Sequence, residues 1–180
     1  SIRTEDRPVV FIGPYEHHSN ELPWREWIAD LGIIDEDADG HVSLEHLERE
    51  LIHHADRSPL IGSFSAASNV TGIITDTVAV STLLHEHRAL SLWDYAAAAP
   101  YVPIEMGSSA DGNLAYKDAI FISPHKLIGG PGTPGVLVAR RELFTNRVPD
   151  VPGGGTVRYV STAEHDYLPE IEHREEAGTP

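Results

Sequence analysis

Five short apolar runs punctuate the chain: PVVFIG from Pro8, PLIGSFS from Pro59, ALSLWD from Ala89, DAIFIS from Asp118 and GVLVA from Gly135. None keeps a strict alternation of polar and apolar residues. Successive strand side chains point to opposite faces, so a run with apolar residues on both faces belongs to a strand buried on both sides. Stretches with helical spacing separate most of them. That order predicts an α/β fold, a mainly parallel sheet with helices on both faces.

The intervening segments refine the expectation. EHHSNELPWREWIADLG reads as a helix, with Asn20 as its N-cap, Pro23 in its first turn and Gly32 closing it. IIDEDADGHVS then reads as an acidic link that turns at Asp39-Gly40. Ser43 is placed to cap a second helix with Leu44, Leu47, Leu51 and Ile52 along one face, and Thr75 to His87 predicts a third with Val78, Leu83 and Leu84 toward the core. Residues 1–150 are expected to form a domain core, and 151–180 a trailing loop and short β segments of the same domain.

A net charge of −15 argues against a nucleic-acid or anionic-membrane surface, because both need Lys and Arg to neutralise phosphates. No apolar run approaches the roughly 20 residues of a membrane-spanning helix. A cytoplasmic protein is the expectation. With no cysteine in the chain, thiolate nucleophiles and thiolate metal sites are excluded. Lysine is scarce: only Lys117 and Lys126 are present.

Ligands of open α/β sheets gather beyond the carboxyl ends of the strands. Polar residues follow four of the apolar runs there: His17 and His18 after the first, Asn69 after the second, Asp94 after the third and Lys126 after the fourth. A lysine at the mouth of the constrained loop SPHKLIGGPGTPG suits covalent capture of a carbonyl. A carboxylate could hold a protonated ring nitrogen, an imidazole could stack on a flat ring and move protons, and donors near Ser123 would suit a phosphate. Lysine, carboxylate and phosphate cup together describe pyridoxal phosphate. Two other readings fail. Gly130 and Gly135 have phosphate-loop spacing, but Val136 stands where that motif needs Lys. The paired histidines His17-His18 and His53-His54 point about 100° apart on a helix and do not share an ion. His53, His54, His85 and His87 read as solvated helix-end residues, and no metal site is expected.

EHHSNELPW, ASNVTG, WDYAAAAPY, SPHKLIGGPGTPGVL and EEAGTP resemble, in this order, motifs of the class V aminotransferases. These are fold-type I pyridoxal-phosphate enzymes, and the nearest resemblance is to the cysteine desulfurase and selenocysteine lyase branch. The resemblance implies an enzyme, a transferase or lyase acting at the α carbon of an amino acid. Lys126 would carry the cofactor as a Schiff base and shuttle the α proton, while His17 stacks on the ring. Asp94 would pair with the ring nitrogen and Asn69 with the phenolic oxygen. Ser123 and His125 would hold the phosphate. Thr179 would reach the phosphate of a neighbouring subunit, which implies a homodimer. One position departs from the pattern: Ala97 stands where desulfurase-type members carry a Gln. The resemblance further implies a phosphate-binding loop before the first strand and a second domain after Gly-Thr-Pro. The chain is thus expected to correspond to the central part of the large domain, and to hold the cofactor weakly when isolated. The competing reading is a non-catalytic module of the same fold, used for binding or dimerisation.

Overall fold

Val9–Ile12 forms β1, and all four residues are buried, as a continuous apolar run in a two-sided sheet requires. The computed structural model describes residues 2–175 and divides into two compact units, Ser1–Val138 and Ala139–Pro180. The first unit is built on β1, β2 (Asp30–Ile33), β3 (Leu60–Ser65), β4 (Leu90–Asp94), β5 (Ala119–Ile122) and all but the last residue of β6 (Val136–Ala139). They form one six-stranded sheet in the order β2-β1-β3-β4-β5-β6. The pairs β2–β1, β1–β3, β3–β4 and β4–β5 are all parallel. The expected fold class is observed.

Helices cover both faces of this sheet. Val9 and Phe11 of β1, Leu60 and Phe64 of β3 and Trp93 of β4 share one core with Leu47 and Leu51 of α2 (Leu44–His53) and with Val80 and Leu84 of α3 (Thr77–Glu86). Gly62 faces the same way. A Cβ there would lie 2.5 Å from Leu84 Cδ1, so only glycine lets α3 approach the strand so closely. Ser63, one residue along, points to the opposite face and meets α1 (His18–Glu26), its Oγ donating to Asn20 Oδ1 at 2.7 Å.

Several local expectations are corrected. The residues read as the end of the first helix are β2. Helix α1 stops at Glu26, and the short edge strand Asp30–Ile33 follows. Its four residues carry no strand pattern of their own. Partners remote in sequence hold it: Arg57 donates to Asp30 Oδ2 at 2.8 Å and to Arg7 O, and Gly32 packs on the Phe11 ring. The Arg57 guanidinium keeps the Asp30 carboxyl below its ordinary range. Asn20 is not the N-cap of α1, a position held by His17, and Pro23 lies inside the helix. On α2 and α3, Leu44, Ile52 and Val78 are exposed, whereas Val80, not singled out by the pattern, is buried.

Ser43 does cap α2, its Oγ accepting the His46 N–H at 3.2 Å. Ser43→Ala should therefore cost about 1 kcal/mol, read as a lowered urea midpoint with unchanged slope. A change below ~0.3 kcal/mol would show the cap to be energetically idle.

The second unit contains an antiparallel pair, β7 (Val157–Val160) with β8 (His165–Tyr167), and the short α4 (Ile171–Arg174). An ion pair between Arg158 and Asp166 ties the two strands, and another joins Arg141 to Glu172.

Candidate active site

Four parallel strands end side by side, and the chain after each one turns toward the same cleft. Its volume is about 310 Å³, within the ~300–1,000 Å³ typical of small-molecule sites. His17, Asn69, Asp94, Ser123, His125 and Lys126 all line it, arriving from the ends of β1, β3, β4 and β5. Register explains the convergence at the floor. Ser65 is the Cα partner of Asp94, and Asp94 of Phe121, so the carboxyl ends of β3, β4 and β5 lie level to within one residue. Thr179, the remaining residue singled out by resemblance, lies outside the described residues.

Local hydrogen bonds hold the side chains of Asp94 and His17 and the backbone of Lys126. Asp94 is 7% exposed, and its Oδ1 accepts the Ala96 N–H at 2.7 Å. This turn aims the carboxylate into the cleft instead of along the strand. His17 caps α1: Nδ1 accepts the Ser19 N–H at 3.2 Å and lies 2.7 Å from Ser19 Oγ. With its Nδ1 lone pair directed at that donor, the neutral ring carries its proton on Nε2. Lys126 ends a single 3-10 turn, Pro124–Lys126, closed by its N–H donating to Ser123 O at 3.0 Å. Its side chain is exposed at the cleft mouth.

The glycine-rich loop answers to that turn. A Cβ on Gly130 would lie 1.8 Å from Pro124 O and 3.0 Å from Leu127 O, so the loop folds back onto the backbone that carries Lys126. Gly129 adopts φ +83°, a conformation that favours glycine.

The other lysine is at the opposite end of β5. Lys117 is buried, and its Nζ donates to Glu105 O at 2.9 Å. Burial pushes this amine below its ordinary range. Among the described residues, Lys126 is thus the one lysine that lines the cleft.

Sequence reasoning missed two groups. Glu16, beside His17, is a largely buried carboxylate with four hydrogen-bond donors: Gly13 N–H at 3.2 Å, Ser65 N–H at 2.9 Å, Ser65 Oγ at 2.6 Å and Asn20 Nδ2 at 2.7 Å. Burial pushes its carboxyl above the usual range, and the donors pull it back. The signal available was a polar pair, Ser63 and Ser65, on one face of an otherwise apolar strand. His85 is the second. It is not solvated: its side chain is 5% exposed, Nδ1 lies 2.7 Å from Leu114 O, and Nε2 lies 2.9 Å from Asp118 Oδ2. The loop returning after β4 covers it, with Tyr116 stacked 3.8 Å from its ring.

Ala97 lines the cleft at the position where the resemblance leads one to look for Gln. Among the described residues, no group of three or more His, Asp or Glu could hold a metal ion, and no helix is long and apolar enough to cross a membrane.

Known proteins place this architecture. The sequence profile of the aminotransferase class-V family matches residues 3–180. A probable cysteine desulfurase 2 from Mycobacterium leprae is 31% identical over 179 residues, covering 96% of this chain and 39% of that protein. A cysteine desulfurase from Klebsiella pneumoniae is likewise 31% identical, over 95% of this chain and 40% of its own length. Among solved structures, the apo cysteine desulfurase from Thermococcus onnurineus NA1 superposes with a TM-score of 0.78 at 27% identity, covering 98% of this chain and 42% of that one. The chain spans about two fifths of the length of these relatives. A parallel sheet of matching topology, a profile that matches nearly end to end and relatives at this identity lead to one statement: the chain belongs to the aminotransferase class-V family.

Proposed function

We propose that the first unit is the pyridoxal-phosphate-binding part of an enzyme, a transferase or lyase acting at the α carbon of an amino acid. One observation carries this reading: a single cleft gathers an amine, a nearly buried carboxylate, an imidazole, an amide and phosphate-type donors from four different strand ends. The residues suit the cofactor chemically, because a flat cationic ring with an anionic tail needs a carboxylate at one end and donors at the other.

When bound, pyridoxal phosphate supplies a carbonyl that an amine can capture and a ring that draws electrons from the α carbon. Lys126 provides that amine at the cleft mouth and, once free, takes and returns the α proton. Asp94 places its carboxyl group on the cleft floor, where it would pair with a protonated ring nitrogen. His17 stands on the wall, where its ring would stack on the cofactor and its Nε2 proton is available to donate. Asn69 donates or accepts through its amide at the end of the β3 loop, and Ser123 and His125 serve the phosphate. The relatives named above make cysteine the first substrate to try. Ala97 removes an amide donor from the site, which favours testing other amino acids beside it.

The experiment is to saturate the chain with pyridoxal 5′-phosphate, reduce with borohydride, and locate the adduct by mass spectrometry. Reduction traps even weakly held cofactor. The expected result is one adduct on Lys126, absent from Lys126→Ala. An unmodified Lys126 with adducts scattered elsewhere, or none, would overturn the proposal.

A second reading, a non-catalytic dimerisation module of the same fold, draws on the exposed apolar side chains of Tyr101, Ile128 and Leu137. It predicts self-association in sedimentation without a trapped adduct. The first reading includes a homodimer too, so the adduct on Lys126 is what separates them.

A further inference from the structure

We propose that Glu16 is a positioning residue, whose buried carboxylate fixes His17 against the floor of the cleft. The inference rests on the reading of the cleft as a cofactor site, and it adds a residue to which neither motif nor resemblance had assigned a role.

The geometry is that of a three-way tie. Glu16 Oε1 accepts from Gly13 N–H, at the start of its own loop, and from Ser65 N–H at the end of β3. Oε2 accepts from Ser65 Oγ and from Asn20 Nδ2 in the first turn of α1. One side chain therefore joins the loop after β1, the beginning of α1 and the end of β3. His17 is the next residue and caps α1, while Ser65 is in register with Asp94. Glu16 thus sets the cleft wall that bears the imidazole relative to the floor that bears the carboxylate.

All four partners donate, so the site is matched to an ionised carboxylate with two bonds on each oxygen. A glutamine cannot replace it. Its NH₂ would face either two backbone N–H groups, which cannot turn round, or Asn20 Nδ2. Asn20 cannot flip either, because its Oδ1 accepts from Ser63 Oγ at 2.7 Å and its Nδ2 also donates to Ser63 O at 3.2 Å. A second route displaces the carboxylate without altering any polar group. A Cβ on Gly13 would lie 2.6 Å from Glu16 Oε1, so Gly13→Ala pushes directly on it.

Two readouts test the role. The first needs no cofactor: ¹⁵N chemical shifts of the His17 ring, assigned by comparison with His17→Ala. The intact protein should show one neutral tautomer, protonated on Nε2, and Glu16→Gln and Gly13→Ala should both move the shifts toward the mixed values of free histidine. The second is the pyridoxal 5′-phosphate concentration that half-saturates trapping on Lys126. Glu16→Gln should raise it about tenfold, the scale of one lost charge-assisted hydrogen bond. In a His17→Ala background the same change should raise it less than about twofold, since a residue acting through His17 has nothing left to position. An equal effect in both backgrounds would overturn the proposal, as would unchanged ring shifts in the folded variants. Should Glu16→Gln fail to fold, Gly13→Ala decides by the same two measures. If the intact chain traps no cofactor, the functional reading falls and the ring shifts still decide whether Glu16 positions His17.

Discussion

Replacing Trp93 by alanine is expected to cost the first unit about 3–5 kcal/mol, a large share of the ~5–15 kcal/mol that holds a domain folded. Trp93 is fully buried in β4, with its ring 6.0 Å from that of Phe64. Its Nε1 donates to Ser91 Oγ at 2.8 Å and to Ser81 Oγ at 3.0 Å, and those two hydroxyls lie 2.8 Å apart. Alanine leaves a cavity at the centre of the sheet and takes the donor from a buried polar triangle. Trp93→Phe separates the two causes. It retains most of the volume and loses only the donor, which predicts a smaller loss of about 1–3 kcal/mol. Urea unfolding followed by far-ultraviolet circular dichroism measures both. A loss under ~1 kcal/mol for the alanine variant would mean that the sheet repacks, contrary to the close fit described.

The largest expected effect on the site, as opposed to the fold, comes from Gly130→Ala. Gly130 does not sit at positive φ, so the argument is one of space and not of conformation. The added methyl would meet Pro124 O at 1.8 Å and Pro124 C at 2.8 Å, both backbone atoms that cannot swing away. The turn Pro124–Lys126 must then move or open, and with it the amine. Trapping of pyridoxal 5′-phosphate on Lys126 should fall to background. Stability should fall by only about 1–3 kcal/mol, because the strain is confined to one loop. Gly132→Ala is the control: no atom lies within 4 Å of an added Cβ, although its φ of +87° carries a backbone cost of its own. It should lower stability and spare trapping by comparison. Equal trapping by Gly130→Ala and the unaltered chain would show that Lys126 does not depend on this loop for its position.

These two changes also mark a boundary between kinds of information. Trp93 lies in a run that is apolar on both faces apart from Ser91, a pattern that reads as a buried strand. The same holds for Val9–Ile12 and Ala119–Ile122, and for Leu60–Ser65 apart from its two serines, the strands that carry the site. Their order along the chain, with helical spacing between them, leaves a parallel sheet as the economical arrangement. Parallel pairing puts the carboxyl ends of the strands on one side. That is why His17, Asn69, Asp94 and Lys126 could be singled out before any fold was known, although no one of them is distinctive alone.

Other features depended on partners that sequence spacing does not reveal. Nothing in DLGI marks a strand; β2 exists because Arg57 grips Asp30 and the ring of Phe11 lies against Gly32. Asn20 has the composition of a cap and is instead a buried bridge between Glu16 and Ser63. His85 sits near a helix end, where solvent is the default, until the chain returns to lay Leu114, Tyr116 and Asp118 around it.

What the amino-acid order determined by itself was the alternation of strand and helix, and through it the side of the sheet on which the polar strand ends meet. Period and continuity are local properties, readable wherever the residues are adjacent. Only the tertiary structure decided which polar side chains would be buried and what would hold them. Glu16 meets Ser65 across 49 residues and Asn20 meets Ser63 across 43. A buried carboxylate or amide is tolerable only where such distant donors and acceptors arrive together, and that arrival is a property of the packed molecule.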